Sequence, residues 1–121
     1  MNKKEFALSQ IAPYFKDPST CGIENRRCKY ITSDGRMCVV GKNMLNPSKG
    51  GSIHIDALLS IFTEEEIFKP EAVGILSTKE WGRLQYIHDE IAVPTPAGIS
   101  HYIDVLGLFT YDELLQYSAT L

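Results

Sequence analysis

One spacing recurs in the second half of this chain and restricts its fold more than any other feature. Thr63 stands three residues before Glu66, Ser77 before Glu80, and Thr110 before Glu113. A hydroxyl and a glutamate at that separation each cap the other's backbone N–H, which starts a helix. Apolar stripes at helical spacing follow or precede these starts. Ile55, Leu58, Leu59 and Phe62 form one, and Trp81, Leu84, His88 and Ile91 form another. Pro70 closes the short helix opened by Thr63, and Leu114 and Leu115 lie in the helix opened by Thr110. Thr95 before Pro96 predicts a further start, since proline suits the first helical position. Ile99, Tyr102, Ile103 and Leu106 would be its stripe, with Gly107 supplying the left-handed C-terminal residue.

The first segment is also helical by pattern, with Leu8, Ile11, Ala12 and Phe15 on one face. Asn2 is its expected cap, Glu5 takes the capping-box position, and Met1 is placed to staple onto Phe6. Pro13 is expected to end or kink it near Ala12, because proline lacks the N–H the helix needs. Residues 16–27 read as a polar loop, and 46–52 as a second one. Between them, Tyr30, Ile31 and Thr32 and then Val39 and Val40 favour strand. Asp34-Gly35 separates them, a two-residue signal for the type I′ turn of a hairpin. "EAVGIL" at 71–76 is a candidate third strand. The expected fold is therefore α+β: a mostly helical single domain over residues 1–121, with one β-hairpin in the N-terminal half packed on about five helices.

Composition agrees with this. The chain has 121 residues, 44% of them apolar and 22% charged, enough for one core without disulfide or metal support. No apolar run approaches the roughly 20 residues that span a bilayer, so no membrane partner is expected. The first ten residues lack the apolar centre of a signal peptide. An odd count of three cysteines suggests a reducing, cytoplasmic setting. Charge is divided: residues 1–49 carry +5 and residues 50–121 carry −8, for a total of −3.

The stretch "RCKYITSDGRMCVVGK" holds most of the reactive residues. In a regular hairpin about Asp34-Gly35, Cys28 and Cys38 would stand on opposite faces, roughly 10 Å apart. That is too far for a disulfide. Cysteine spacings of C-x₆-C and C-x₉-C are not zinc knuckles. "GRMCVVGKN" has five residues between its glycines and Asn43 where a P-loop has Ser or Thr. No Ser-His-Asp order or nucleophile elbow is present. Cys21, read as lying in an exposed loop, would need an activating neighbour to serve as a nucleophile. His88-Asp89 invites a metal-hydrolase reading, with His54, His101 and Asp104 as the available recruits. No catalytic residue, metal ligand or cofactor is assigned on these grounds.

A cationic segment remains. Arg26, Arg27, Lys29, Arg36, Lys42 and Lys49 oppose a single acid, Asp34, with Tyr30 among them. Together with His88 and Asp89 these are the expected partner- or ligand-binding residues. General nucleic-acid binding is not expected of a chain with a pI near 5.6.

Two short motifs occur in order: Cys28-x-Tyr30 with Asp34-Gly35-x-x-Cys38-x-x-Gly41, then Leu84-Gln85-x-x-His88-Asp89. The pairing resembles a set of small bacteriophage and prophage proteins, over roughly residues 27–91. The chain departs from that set after Gly41, where "KNMLNPSKGG" replaces an apolar segment. The resemblance implies a mostly helical domain with one hairpin and a phage accessory role, and it brings no defined activity. The functional expectation is a non-enzymatic accessory protein that binds a host or bacterial protein in the host cytoplasm, inhibition of a bacterial defence system being one such role. A binder of a small phosphate-bearing ligand and a metal-dependent hydrolase are the alternatives.

Overall fold

A computed structural model describes residues 2–51 and 53–121, so the expected staple from Met1 lies outside the described residues. Six α-helices, four short 3-10 segments and one antiparallel pair of short strands make up the regular structure described. Helix α1 runs Lys3–Lys16, β1 Ile23–Glu24, β2 Arg27–Cys28, α2 Ile55–Ile61, α3 Glu64–Ile67, α4 Thr78–Ala92, α5 Ile99–Leu106 and α6 Tyr111–Ala119. The α+β, mostly helical class is as expected.

All three Ser/Thr-x-x-Glu strings form reciprocal capping boxes, at the starts of α3, α4 and α6. Asn2 caps α1 by accepting the Glu5 N–H at 2.8 Å. Gly107 ends α5 at φ 72°. Helix α4 is central and packs against α1, α2 and α5, while α6 lies on α1. Trp81 on α4 stacks on Phe68 with ring centroids 4.7 Å apart and takes the edge of Phe6 at 5.8 Å. Ile11, Leu84, Ile87 and Leu114 are fully buried around them. Each such side chain contributes about 1.5–3 kcal/mol of burial.

The charge halves meet as the fold closes. Lys3 pairs with Glu80 at 2.7 Å, and Lys4 pairs with Glu113. Among the described residues, no helix is long and apolar enough to cross a membrane.

Four local expectations are corrected. Helix α1 passes through Pro13 and continues to Lys16. Pro13 is exposed, so the carbonyl it leaves unpaired can turn to water. Helix α5 begins at Ile99 rather than at Pro96. Thr95 instead closes onto Glu90, donating its N–H at 2.7 Å and its hydroxyl at 2.8 Å. Residues 71–76 form no strand; Pro70–Ala72 is a 3-10 turn.

The hairpin is the fourth, and it lies one turn earlier than expected. Ile23 pairs with Cys28 and Glu24 with Arg27, all but Cys28 inside the segment read as a loop. Its turn is Asn25-Arg26, at φ 54° and 62°, the two positive values a type I′ turn requires. Asp34-Gly35 does form a tight turn, closed by Thr32 N–H donating to the Arg36 carbonyl at 2.8 Å. No strands flank it. Cys38, Val39 and Val40 are all fully buried, whereas a strand on one sheet face would alternate. The chain here is enclosed by helices and turns into a 3-10 segment at Gly41–Asn43.

Candidate functional site: a cysteine, glutamine, histidine and aspartate network

Gln85, His88 and Asp89 stand at i, i+3 and i+4 on α4, so they share one helical face. That face meets Cys28 at the end of β2. The Gln85 amide nitrogen lies 2.7 Å from Cys28 Sγ and 2.9 Å from Asp89 Oδ1, donating to both. His88 is fully buried. Its Nε2 accepts the Gly22 N–H at 3.0 Å, and its Nδ1 lies 2.9 Å from Asp89 Oδ1. The backbone donor at Nε2 leaves the ring proton on Nδ1, from which it is donated to Asp89. The edge of the His88 ring also meets Tyr14, with centroids 4.7 Å apart.

The two motifs thus meet, but not as separate faces of one hairpin. Because the chain bends away from strand geometry after Cys28, Cys38 comes back against Gly22, whose carbonyl accepts the Lys29 N–H at 2.9 Å. Cys38 Sγ also accepts the Gly41 N–H at 3.3 Å. The ladder expected to place Cys28 and Cys38 on opposite faces does not form, since the strands pair only Ile23 with Cys28 and Glu24 with Arg27. Cys21 is only 1% exposed, not in an open loop, and burial raises its thiol to about 11. That removes it as an accessible nucleophile.

Cys28, His88 and Asp89 offer one ligand atom each within 4.8 Å of one another. His54, His101 and Asp104, the expected recruits for a histidine-aspartate metal centre, are not part of this group. The donor chemistry does not fit an ion at this point. The Gln85 amide nitrogen stands among all three ligand atoms, 3.2 Å from His88 Nδ1. A metal at Nδ1 would also force the ring proton onto Nε2, against the Gly22 N–H. The network is closed by its own donors and acceptors.

Two glycines let the loops approach so closely. A Cβ at Gly22 would lie 2.2 Å from the Cys38 nitrogen, and one at Gly41 would lie 1.9 Å from the Tyr30 carbonyl oxygen.

The basic residues are dispersed. Arg36 spans Asp34 at 3.0 Å and the Cys21 carbonyl at 3.1 Å. Lys29 pairs with Glu24 at 3.3 Å. Tyr30 is buried with its hydroxyl donating to the Ile53 carbonyl, which leaves no ring face for stacking. Lys49 is exposed beside a separate hollow lined by Leu45, Phe62 and Ile67. Arg26 and Arg27 are exposed at the hairpin turn.

Lys42 is turned inward. Its ammonium lies 2.7 Å from the Gln10 carbonyl and 4.6 Å from the centre of the Tyr14 ring. Burial lowers it to about 8. A lysine depressed in the folded state binds fewer protons there than when unfolded, so its contribution to stability rises with pH. Between pH 8 and the unfolded value near 10.4, the stability of wild type minus that of Lys42→Met is expected to climb. Urea unfolding of both proteins across that range measures it, and a flat difference would refute the inward placement.

Around the network the surface forms two shallow hollows, of about 130 and 240 Å³, which share Cys28, Tyr86 and Asp89. The larger adds Ile23, Arg26, Val93 and Tyr102. Tyr86 and Val93 are 49% and 40% exposed. Gln85 was not singled out in the sequence, although the L-Q-x-x-H-D string already placed it on the His88-Asp89 face.

Comparisons with protein-family models, curated proteins and solved structures gave no match. What fold and site define is a mostly helical α+β domain whose loops are tied to one central helix by a partly buried cysteine–glutamine–histidine–aspartate network.

Proposed function

We propose that this chain is a non-enzymatic accessory protein of phage type, acting in the host cytoplasm, that binds a host or bacterial protein through the hairpin turn and the adjoining end of α4. Inhibition of a defence system is one role such binding would serve. The observation that carries the reading is the backbone of Arg26. It holds φ 62° at the second turn position, where glycine is cheapest. A left-handed non-glycine residue costs roughly 1–2 kcal/mol, and strain of this kind concentrates at functional positions. Arg26 is exposed, and Tyr86, Tyr102 and Val93 stand in the hollow beside it. Arginine and tyrosine beside an apolar depression are the composition of protein-binding hot spots.

A phosphate-bearing ligand suits this surface less well. Asp89 and Glu90 line the same hollow, and Lys29 and Arg36 already face carboxylates. The closed hydrogen bonds of His88 do not leave it free to act as a base for hydrolysis.

The test is a comparison of immobilised variants in bacterial lysate. A specific protein identified by mass spectrometry should be retained by wild type and by Lys49→Glu, and fall at least tenfold with Arg26→Glu. Arg26→Gly should lose the same partner while raising unfolding free energy by roughly 1 kcal/mol, since glycine relieves the turn. Equal retention by all four proteins would reject this surface.

A further inference from the structure

The hairpin face shares no lining residue with two further hollows that meet at Leu45. We propose that these two hollows form a self-complementary interface, through which two copies of the chain pair about a two-fold axis beside Leu45. The hairpin turn stays free in such a dimer, so the pairing stands whether or not the hairpin binds a protein.

Three observations carry this. The first is apolar surface shaped as a pair of sockets. One hollow, of about 540 Å³, is lined by Lys49, Phe62 and Ile67 together with the buried Met44 and Leu58. The other, of about 280 Å³, is lined by Glu65, Phe68, Pro70 and Val73. Leu45 is their common wall. Leu45 and Phe62 are 55% and 43% exposed, and Ile61, next to Phe62 in the chain, is 68% exposed. Exposed apolar side chains grouped in this way mark an interaction surface.

The second is rigidity. The Leu45 N–H donates to the Ile67 carbonyl at 2.9 Å, and the Lys69 N–H donates to the Asn43 carbonyl at 2.8 Å. This antiparallel bridge, Met44 to Phe68, ties the walls of the two hollows together. Association then requires little ordering of the backbone.

The third concerns charge, and it selects the occupant. Lys49 lines the first hollow and Glu65 the second, and both are exposed. Among the described residues neither takes part in an ion pair. Glu66 shares the first hollow with Lys49, but its carboxylate closes the Thr63 capping box. A partner carrying one sign of charge would satisfy one end of the patch and repel the other. A second copy, rotated by half a turn beside Leu45, offers its own Glu65 to Lys49 and its own Lys49 to Glu65. An isologous contact exchanges the two ends of a patch in this manner. Leu45 of each copy then lies at the dry centre of the contact, with the charge pairs at the rim.

The experiment is sedimentation velocity of the full chain across micromolar concentrations, with urea unfolding to confirm that each variant folds. Wild type should approach twice the 13.6 kDa of one chain as concentration rises. Leu45→Glu should raise the dissociation constant by roughly tenfold or more. Should that variant fail to fold, Leu45→Ser takes its place. Lys49→Glu and Glu65→Lys should each weaken the dimer about fivefold by setting like charges face to face, and the double variant should return to within about twofold of wild type. Arg26→Glu should leave the dimer unchanged, which separates this test from protein capture through the hairpin. A wild type that stays at 13.6 kDa throughout, a dimer indifferent to Leu45→Glu, or a double variant no tighter than the single ones would each overturn the proposal.

Discussion

Replacing His88 by alanine should cost about 3–5 kcal/mol of unfolding free energy, the sum of a buried cavity and a stranded donor. The ring fills a fully enclosed space between Tyr14 and the Cys28 network. Its loss leaves the Gly22 N–H without the acceptor it has at 3.0 Å, and Asp89 without the ring N–H at 2.9 Å. A domain of this size has about 5–15 kcal/mol in total, so a large share would go. With a urea slope of about 1–3 kcal/mol per molar, the midpoint should fall by roughly 2 M. His88→Gln, whose amide oxygen can reach toward the Nε2 position, should recover part of the loss. The result separates a structural histidine from a functional one. If His88→Ala unfolds near the wild-type midpoint yet abolishes partner capture, the ring serves binding and not the fold.

Gly41→Ala should be at least as damaging, for a different reason. The added methyl would stand 1.9 Å from the Tyr30 carbonyl oxygen and 2.7 Å from its carbon. These are backbone atoms, which cannot rotate aside as a side-chain end can, so the cost should exceed the usual 1–3 kcal/mol of overpacking. Gly22→Ala meets the Cys38 nitrogen at 2.2 Å and belongs in the same class. Gly35→Ala is the contrast. Nothing lies within 4 Å of its Cβ position, and only its φ of 88° resists the change, at about 1 kcal/mol. Thermal melts should rank Gly41→Ala and Gly22→Ala far below Gly35→Ala, which should lose roughly 4 °C or so. A Gly41→Ala melt within a few degrees of wild type would mean that the 3-10 turn at Gly41 and the chain at Tyr30 are not so close.

Both predictions concern the junction of two short motifs, and the sequence disclosed that junction unevenly. The L-Q-x-x-H-D half was legible, because α-helical spacing alone puts Gln85, His88 and Asp89 on one face. The cysteine half was not. Tyr30, Ile31, Thr32, Val39 and Val40 carry strand-forming side chains on both sides of Asp34-Gly35, yet the stronger local preference did not win. Complete burial of Cys38, Val39 and Val40 satisfies more apolar surface than a half-exposed ladder would. The real hairpin turns at Asn25-Arg26, where arginine conceals the usual asparagine-glycine signal.

The sequence by itself determined the helical framework, because capping boxes and apolar stripes act within a few residues and need no distant partner. Asn2, Thr63, Ser77, Thr110 and Gly107 all act at the helix ends assigned to them. Tertiary structure decided what the segments between the helices do. Where Cys38 meets Gly22, how Gly22 reaches His88, and why Lys42 turns toward Gln10 all depend on elements brought together from far apart in the chain. Burial energy and hydrogen-bond satisfaction across the assembled core set those contacts, and neither is a property of any short stretch read alone.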